Sequence, residues 1–395
     1  MNRLRLIAAS LCALIASAAA GVSSRHYEII TDLPPRDAEP IVERVDAMHD
    51  ALAKRFASFG HNNAKRLHLA VFAEIDAYLA HLRGEGIDAT NTAGLFYVSG
   101  PNAGVASYLE PQGIARMHST LQHEGFHLFA HTHISPDLPV WVNEGLAEYF
   151  GDGLFVKERF VLGGASADRI HEVQTAHAAG KTFPLEELMS MTNAEWNTAV
   201  RTGDPRAGVL YDQSWSLVHF LLHGQRGKHA DRFENYLRAI ARGVTPDRAF
   251  EQAFGTRDLT ALTRSWTNHI ETVEPDALFT ATDRLRFFAE GLAGLHERDV
   301  TPASMEELED QLKRRSFRVV ISGSHGSSRS LAAADEGIFD APPADRRRGR
   351  TAYELRRPAQ RDVPPSIRVT GLRTTPSIEW HRDRDGRLTY QIRYD

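Results

Sequence analysis

The chain has 395 residues, 42% hydrophobic and 25% charged, a composition that supports folded domains and excludes disordered, collagen-like and coiled-coil chains. Its formal charge of −5, from 46 basic and 51 acidic residues, provides no field that attracts nucleic acid, so no nucleic-acid partner is expected. The longest apolar stretch, residues 6–20, is shorter than the roughly 20 residues that cross a bilayer.

That stretch (LIAASLCALIASAAA) follows Arg3 and Arg5 and offers the small residues Ala16, Ala18 and Ala20 as cleavage positions. This is the layout of a secretory signal peptide over residues 1–20, which predicts a protein exported to a periplasm or secreted, without stable membrane insertion once the leader is gone. Cys12, the sole cysteine, stands very early, and Ala9, Ser10 and Leu11 make a poor lipid-attachment box before it. Loss of the leader leaves 44 basic against 51 acidic residues, net −7, and no cysteine for a disulfide or a thiolate metal site.

The expected elements begin with a short strand in residues 26–34 (HYEIITDLP) and a helix over 40–60, where apolar residues recur at helical spacing before a Gly stop. A strand at 67–72, a helical stretch near 75–82 and two β-like runs, 94–98 and 105–109, follow. The turn formers Ser99-Gly100-Pro101-Asn102 separate the two runs. Residues 26–112 therefore read as a mixed α/β part. A helix from Ile114 to about Ala130, a break at Ser135-Pro136-Asp137 and a helix from Val140 to Gly151 open a helical part over 113–275. Further helices are expected at 166–179, 211–222, 230–242, 246–254 and 259–272. Residues 276–395 form a small α+β region with a helix at 305–313, a strand at 317–321, a Pro/Arg-rich loop or linker at 341–365 and a terminal hairpin. In that hairpin Ile378 and Trp380 alternate on one arm and Leu388, Tyr390 and Ile392 on the other, with Asp385-Gly386 at the turn. The fold class is α+β.

The sharpest chemical signal is His123-Glu124-Gly125-Phe126-His127, an HExxH motif in a helical segment. Spacing of four puts both imidazoles on one face, where they can hold one Zn²⁺, with Glu124 in reach of a water at the metal. With 19 histidines the pattern arises by accident in roughly one such chain in twenty, so a third ligand is required. Glu144 and Glu148, one turn apart in WVNEGLAEYF, share a helical face whose remainder is apolar, and two buried carboxylates there need compensating charge. His133 is the rival third ligand, at the position of HExxHxxGxxH, but Ala130 stands where that pattern uses Gly to turn the chain. His131 and His118 read as solvated or supporting residues, and His219 as a packed helix residue or a substrate contact.

HEGFH followed by NEGLAEYF resembles the gluzincins, the zinc metallopeptidase clan of thermolysin and the neutral aminopeptidases, and in particular bacterial exported proteins grouped as a peptidase-MA-like domain of unknown function. The likeness spans roughly residues 26–273 and is strongest in 118–150 and 211–222. It implies a zincin-like catalytic unit that hydrolyses a peptide or protein substrate, with His123, His127 and Glu144 binding one zinc ion and Glu124 acting as general base. It also implies that Glu148 holds a ligating histidine from behind, although the clan often has Asp at that place. Tyr211, at a helix start in LYDQSWSLVHFLL, matches a Tyr that donates to the oxyanion in aminopeptidase-like members; packing at a helix terminus is the other reading. The clan's exposed cleft strand, which pairs with substrate backbone, fits VASYL at 105–109, and an ordinary edge or hairpin strand is the alternative.

Arg346-Arg347-Arg348-Gly349-Arg350 reads as a solvated loop without interleaved aromatics, and Gly163-Gly164 as a turn. Residues 276–395 lie outside the resemblance. They have three open roles: recruiting a partner in the cell envelope, covering the cleft, or stabilising the catalytic unit. The reading from another functional class is a catalytically silent zinc-site scaffold of the envelope, and hydrolysis of a non-peptide bond is a third.

Overall fold

The structure is a computed structural model that describes residues 22–59, 66–204, 206–322, 328–342, 350–358, 360, 362–383 and 386–395. The expected leader with Cys12, the run Arg346-Arg347-Arg348-Gly349 and Asp385 of the terminal turn lie outside the described residues. The chain divides into two compact units. Of the described residues, one holds those up to Leu162 together with those of Thr182–Thr267, and the other holds those of Gly163–Lys181, Asn268–Ser322 and 328–395. Helices and sheets occur in both, and the class is α+β.

The first unit is built on a four-stranded sheet of β1 (Glu28–Thr31), β2 (Arg66–Glu74), β3 (Gly94–Ser99) and β4 (Asn102–Glu110), in the order β1-β2-β4-β3. β1 and β4 run parallel to β2, and β3 closes one edge antiparallel to β4. Parallel neighbours need crossovers, here α1 (Pro35–Arg55) between β1 and β2 and α2 (Ile75–Gly84) after β2. The period-2 alternation of the strands decides which helix covers which face. Leu69, Val71, Ala103 and Val105 pack with Ile41, Val42 and Val45 of α1. Ala70, Phe72, Tyr97 and Ala106 pack with Tyr78 and Leu82 of α2.

One expectation is corrected here. Residues 105–109 do not form an exposed strand, because β4 is hydrogen-bonded on both sides, to β2 and to β3. Val105, Ala106, Ser107 and Tyr108 are all buried, and a continuous run of small and apolar residues is the signature of a strand covered on both faces. The edge strands are β1 and β3.

α3 (Ile114–Phe129) packs Met117, Leu121 and Leu128 onto the same sheet face as α1. It runs without a break into a π-helical turn, Ala130–Ile134, closed by Ser135 N–H donating to Ala130 O at 2.9 Å. α4 (Val140–Gly151) follows, then a hairpin of β5 (Leu154–Val156) and β6 (Arg159–Val161). After α5 (Ala167–Ala178), which belongs to the second unit, the first unit continues with α6 (Leu185–Ser190), α7 (Asn193–Thr202), α8 (Ala207–Gly227), α9 (Ala230–Ala241) and α10 (Pro246–Phe254). α11 (Thr260–Thr272) comes next. The short α6 and α7 were not expected from the sequence, although Thr192 and Glu195 make a complete capping box for α7. α8 starts at Ala207, so Tyr211 lies one turn inside the helix and not at its start.

The second unit places α5, α12 (Ala277–His296) and α13 (Met305–Arg314) with a hairpin of β7 (Arg318–Ser322) and β8 (Ser328–Ala332). Its four-stranded antiparallel sheet is ordered β12-β11-β10-β9, from β9 (Ala352–Arg356), β10 (Ser366–Thr370), β11 (Pro376–Arg382) and β12 (Leu388–Tyr394). Leu285, Phe288 and Leu292 of α12 share a core with Leu308, Ile367, Val369 and Ile378. Three features depart from the expected organisation. Residues 163–181, assigned by sequence to the helical part, pack in this unit. α12 was missed because apolar residues surround it and blur its period. β9 lies inside the stretch read as a linker, with Tyr353 and Leu355 turned toward the core. The terminal hairpin pairs Ile378 with Ile392 and Trp380 with Tyr390, as the alternation requires. No helix among the described residues is long and apolar enough to cross a membrane.

α4 meets α8 closely at Gly145, where an added Cβ would stand 2.6 Å from Ser214 O and 2.8 Å from Val218 Cγ2. The first obstacle is backbone, so Gly145→Ala is expected to destabilise the fold by about 1–3 kcal/mol. Gly294→Ala, in α12 with only the Arg298 guanidinium 3.7 Å away, is expected to stabilise by about 0.5–1 kcal/mol. Chemical denaturation of the two variants checks this; an unchanged Gly145→Ala protein contradicts the helix contact.

Candidate metal centre

From Thr120 to Phe129 every residue of α3 is buried, so its polar side chains must find partners inside the protein. The partners come from α4, where Glu144 and Glu148 share the face turned to α3. His123 Nδ1 stands 3.2 Å from Glu148 Oε1. Its other nitrogen, Nε2, lies 3.0 Å from His127 Nε2 and 3.4 Å from Glu144 Oε2. His127 Nε2 is 3.6 Å from the same Glu144 oxygen. Two imidazole nitrogens and one carboxylate oxygen thus form a triangle, and His123, His127 and Glu144 could hold a metal ion.

The charges show what the triangle lacks. Burial disfavours the imidazolium of His123, yet contact with Glu144 and Glu148 and the charge of Glu124 outweigh it, raising its pKa to about 10. Burial likewise opposes ionisation of Glu144, but the two histidines hold its carboxyl far below the usual range. Carboxylates on α4 therefore call for positive charge at this point, which a proton on His123 or a cation between the three donors can supply. Glu144 Oε2 is buried without a well-formed hydrogen bond, as a ligand atom aimed at an ion would be. The Glu144 side chain is 15% exposed, so the exposed part of the site lies on its Glu144 side.

Glu124, next to His123, is 2% exposed, and its Oε2 accepts from Phe96 N–H at 2.8 Å. Phe96 belongs to the edge strand β3. Sequence reasoning missed it because the contact uses its main chain and carries no side-chain signal. Tyr211 stands edge-on to Trp196, with ring centroids 5.1 Å apart. Burial first, then the charges of Glu144, Glu148 and Glu124, push its pKa far upward, so the phenol keeps its proton and remains a donor near these carboxylates.

The other histidines are elsewhere. His133 stacks on Phe129 at 4.5 Å, and its Nδ1 meets Thr132 Oγ1 at 2.7 Å, so it takes no part in the triangle. Ala130 has helical φ and ψ, and the chain makes no sharp turn that could bring His133 back. His131 is half-buried against Phe96. His118 is half-buried and held well below its ordinary range by burial and by the Arg44 charge. His219 is buried and stacked on Trp215.

Residues 117–243, which include all of these groups except Phe96 and Arg44, match a family profile described as "Protein of unknown function (DUF1570)". No curated protein matches the chain.

Glu148 supports His123, whereas His127 Nδ1 is buried without a hydrogen bond, so outer support of the triangle rests on one pair. Glu148→Ala is expected to weaken divalent-cation binding by about 10–100-fold, and His133→Ala to leave it unchanged. Competition with a chromophoric chelator measures both; wild-type affinity in Glu148→Ala contradicts the orienting role.

Proposed function

We propose that the chain is an exported zinc-dependent metallopeptidase that hydrolyses peptide bonds in a peptide or protein substrate. The observation that carries this reading is the position of Glu124. It is a buried carboxylate on the same helix as two of the three donors, with one oxygen fixed by the main chain of the sheet edge. A purely structural metal site has no use for such a group, whereas a hydrolytic one requires a base beside an open metal position.

Zinc suits the donor set. Two imidazoles and one carboxylate form a ligand set of hydrolytic zinc sites, and tetrahedral bonds of about 2.0–2.2 Å separate ligand atoms by about 3.3–3.6 Å. The two histidine–Glu144 separations, 3.4 and 3.6 Å, fall in that range, and the two imidazole nitrogens, 3.0 Å apart, stand closer than it. Bound by His123, His127 and Glu144, a zinc ion supplies a Lewis acid that polarises the substrate carbonyl and lowers the pKa of water.

The chain's own residues do the rest. Glu124 takes the proton from the attacking water as the new C–O bond forms, then delivers it to the leaving nitrogen as the C–N bond breaks. Tyr211 donates its hydroxyl proton in a hydrogen bond to the carbonyl oxygen as that oxygen gains charge. Glu148 keeps the His123 ring in its ligating orientation. β3 lies at an edge of the sheet, a position that suits a substrate bound in extended form by strand addition beside the Phe96 amide that Glu124 holds. The leader-like residues 1–20 support export, and a cysteine-free mature chain suits any redox compartment.

The test is peptide hydrolysis by residues 21–395 with zinc. Glu124→Gln is expected to lose about 10²–10⁴-fold in kcat while keeping one bound metal ion. Tyr211→Phe is expected to lose about 10²-fold in kcat with little change in KM. Full activity of Glu124→Gln overturns the mechanism, and a zinc-loaded wild type that cleaves no peptide returns the chain to the scaffold reading.

A further inference from the structure

Gln122, the residue before the HExxH histidine, is 2% exposed and occupies the junction of three elements. Its amide nitrogen donates to three carbonyl oxygens at the end of α4: Phe150 at 3.3 Å, Gly151 at 3.0 Å and Gly153 at 3.0 Å. Its amide oxygen accepts twice from one guanidinium, from Arg44 Nε at 2.9 Å and Arg44 Nη2 at 2.5 Å. Arg44 comes from α1 and lies over the rings of Phe155 and Phe160 in the β5-β6 hairpin, at 5.2 and 5.8 Å.

The chemistry of this junction is specific to an amide. The last carbonyls of a helix have no partners within it and carry the negative end of its dipole. α4 has no basic residue in its last turn. Gln122 meets those carbonyls with donors on one end while its other end is polarised by a cation, so the Arg44 charge is relayed through the amide to the end of α4. A carboxylate at 122 would keep the Arg44 contact and face three carbonyls with acceptors only.

We propose that Gln122 is a positioning residue for the metal centre. By tying the C-terminal end of α4 to α3 one residue before His123, it fixes the axial register of the two helices. That register sets the distance from Glu144 to the imidazoles of His123 and His127. The inference rests on the zinc reading above and adds to it the element that holds the third ligand in place. Ligand geometry must be kept within about 0.5 Å to be productive. Of the contacts described here between α3 and α4, those made by His123 and His127 themselves depend on which cation fills the triangle. The Gln122 bonds do not, so they hold the register before metal arrives.

The experiment compares wild type, Gln122→Glu and Gln122→Met in residues 21–395, using Zn²⁺ affinity, the visible spectrum of the Co²⁺-loaded protein and the melting midpoint of the metal-free form. Gln122→Glu is close to isosteric and retains an acceptor for Arg44, so it keeps the test open if Gln122→Met does not fold. The expected result is at least a tenfold loss of Zn²⁺ affinity in Gln122→Glu, with a shifted Co²⁺ ligand-field band and a lowered melting midpoint of the metal-free form, since three buried carbonyls lose their donor. Wild-type affinity and spectrum in a folded variant overturn the proposal. So does weakened binding with an unchanged Co²⁺ spectrum, because a softened fold lowers affinity without altering the ligand field. A wild type that takes up neither metal removes the zinc reading itself, and is thereby distinguished from failure of the tether alone.

Discussion

Burying two imidazoles between two carboxylates is the constraint on which the first unit depends. α3 is buried along its last ten residues and carries Gln122, His123, Glu124 and His127 inward, which no apolar environment tolerates without partners. α4 answers with Glu144 and Glu148 on one face, so each helix makes the other's burial feasible. The same pairing leaves three donor atoms converging on one point. Structural necessity and metal chemistry are here the same arrangement.

The sheet sets the position of Glu124. Because β4 is central and β3 lies at the edge, the helix that packs on both brings Glu124 within 2.8 Å of the Phe96 amide. The buried Glu124 carboxylate is thereby held in one frame with that edge strand. α8 closes against the other side of α4 at Gly145, and the same helix carries Tyr211 toward the carboxylates. Tyr211 and Glu144 are thus referenced to each other through one tight helix contact.

Much of this was legible in the sequence, and the reasons differ by element. HEGFH and the i, i+4 pair Glu144/Glu148 are local patterns, and helical periodicity alone puts their side chains on shared faces. The choice of Glu144 over His133 was legible in one residue: Ala130 cannot easily make the turn that His133 would need, and the chain instead continues into a π turn. Strand order was not legible, since VASYL and GLFYV both read as β and only the sheet shows which is central. Nor was α12, whose apolar residues face the core on several sides, or the roles of Gln122 and Phe96. The first acts through neighbours in space, and the second through its main chain.

The account stands on three side chains meeting at one ion, and anomalous diffraction at the zinc edge from crystals of residues 21–395 grown with one equivalent of zinc tests this most directly. The account predicts a single strong peak about 2.0–2.2 Å from His123 Nε2, His127 Nε2 and a Glu144 oxygen. A peak at His133, or zinc bound only away from the α3-α4 pair, would contradict it.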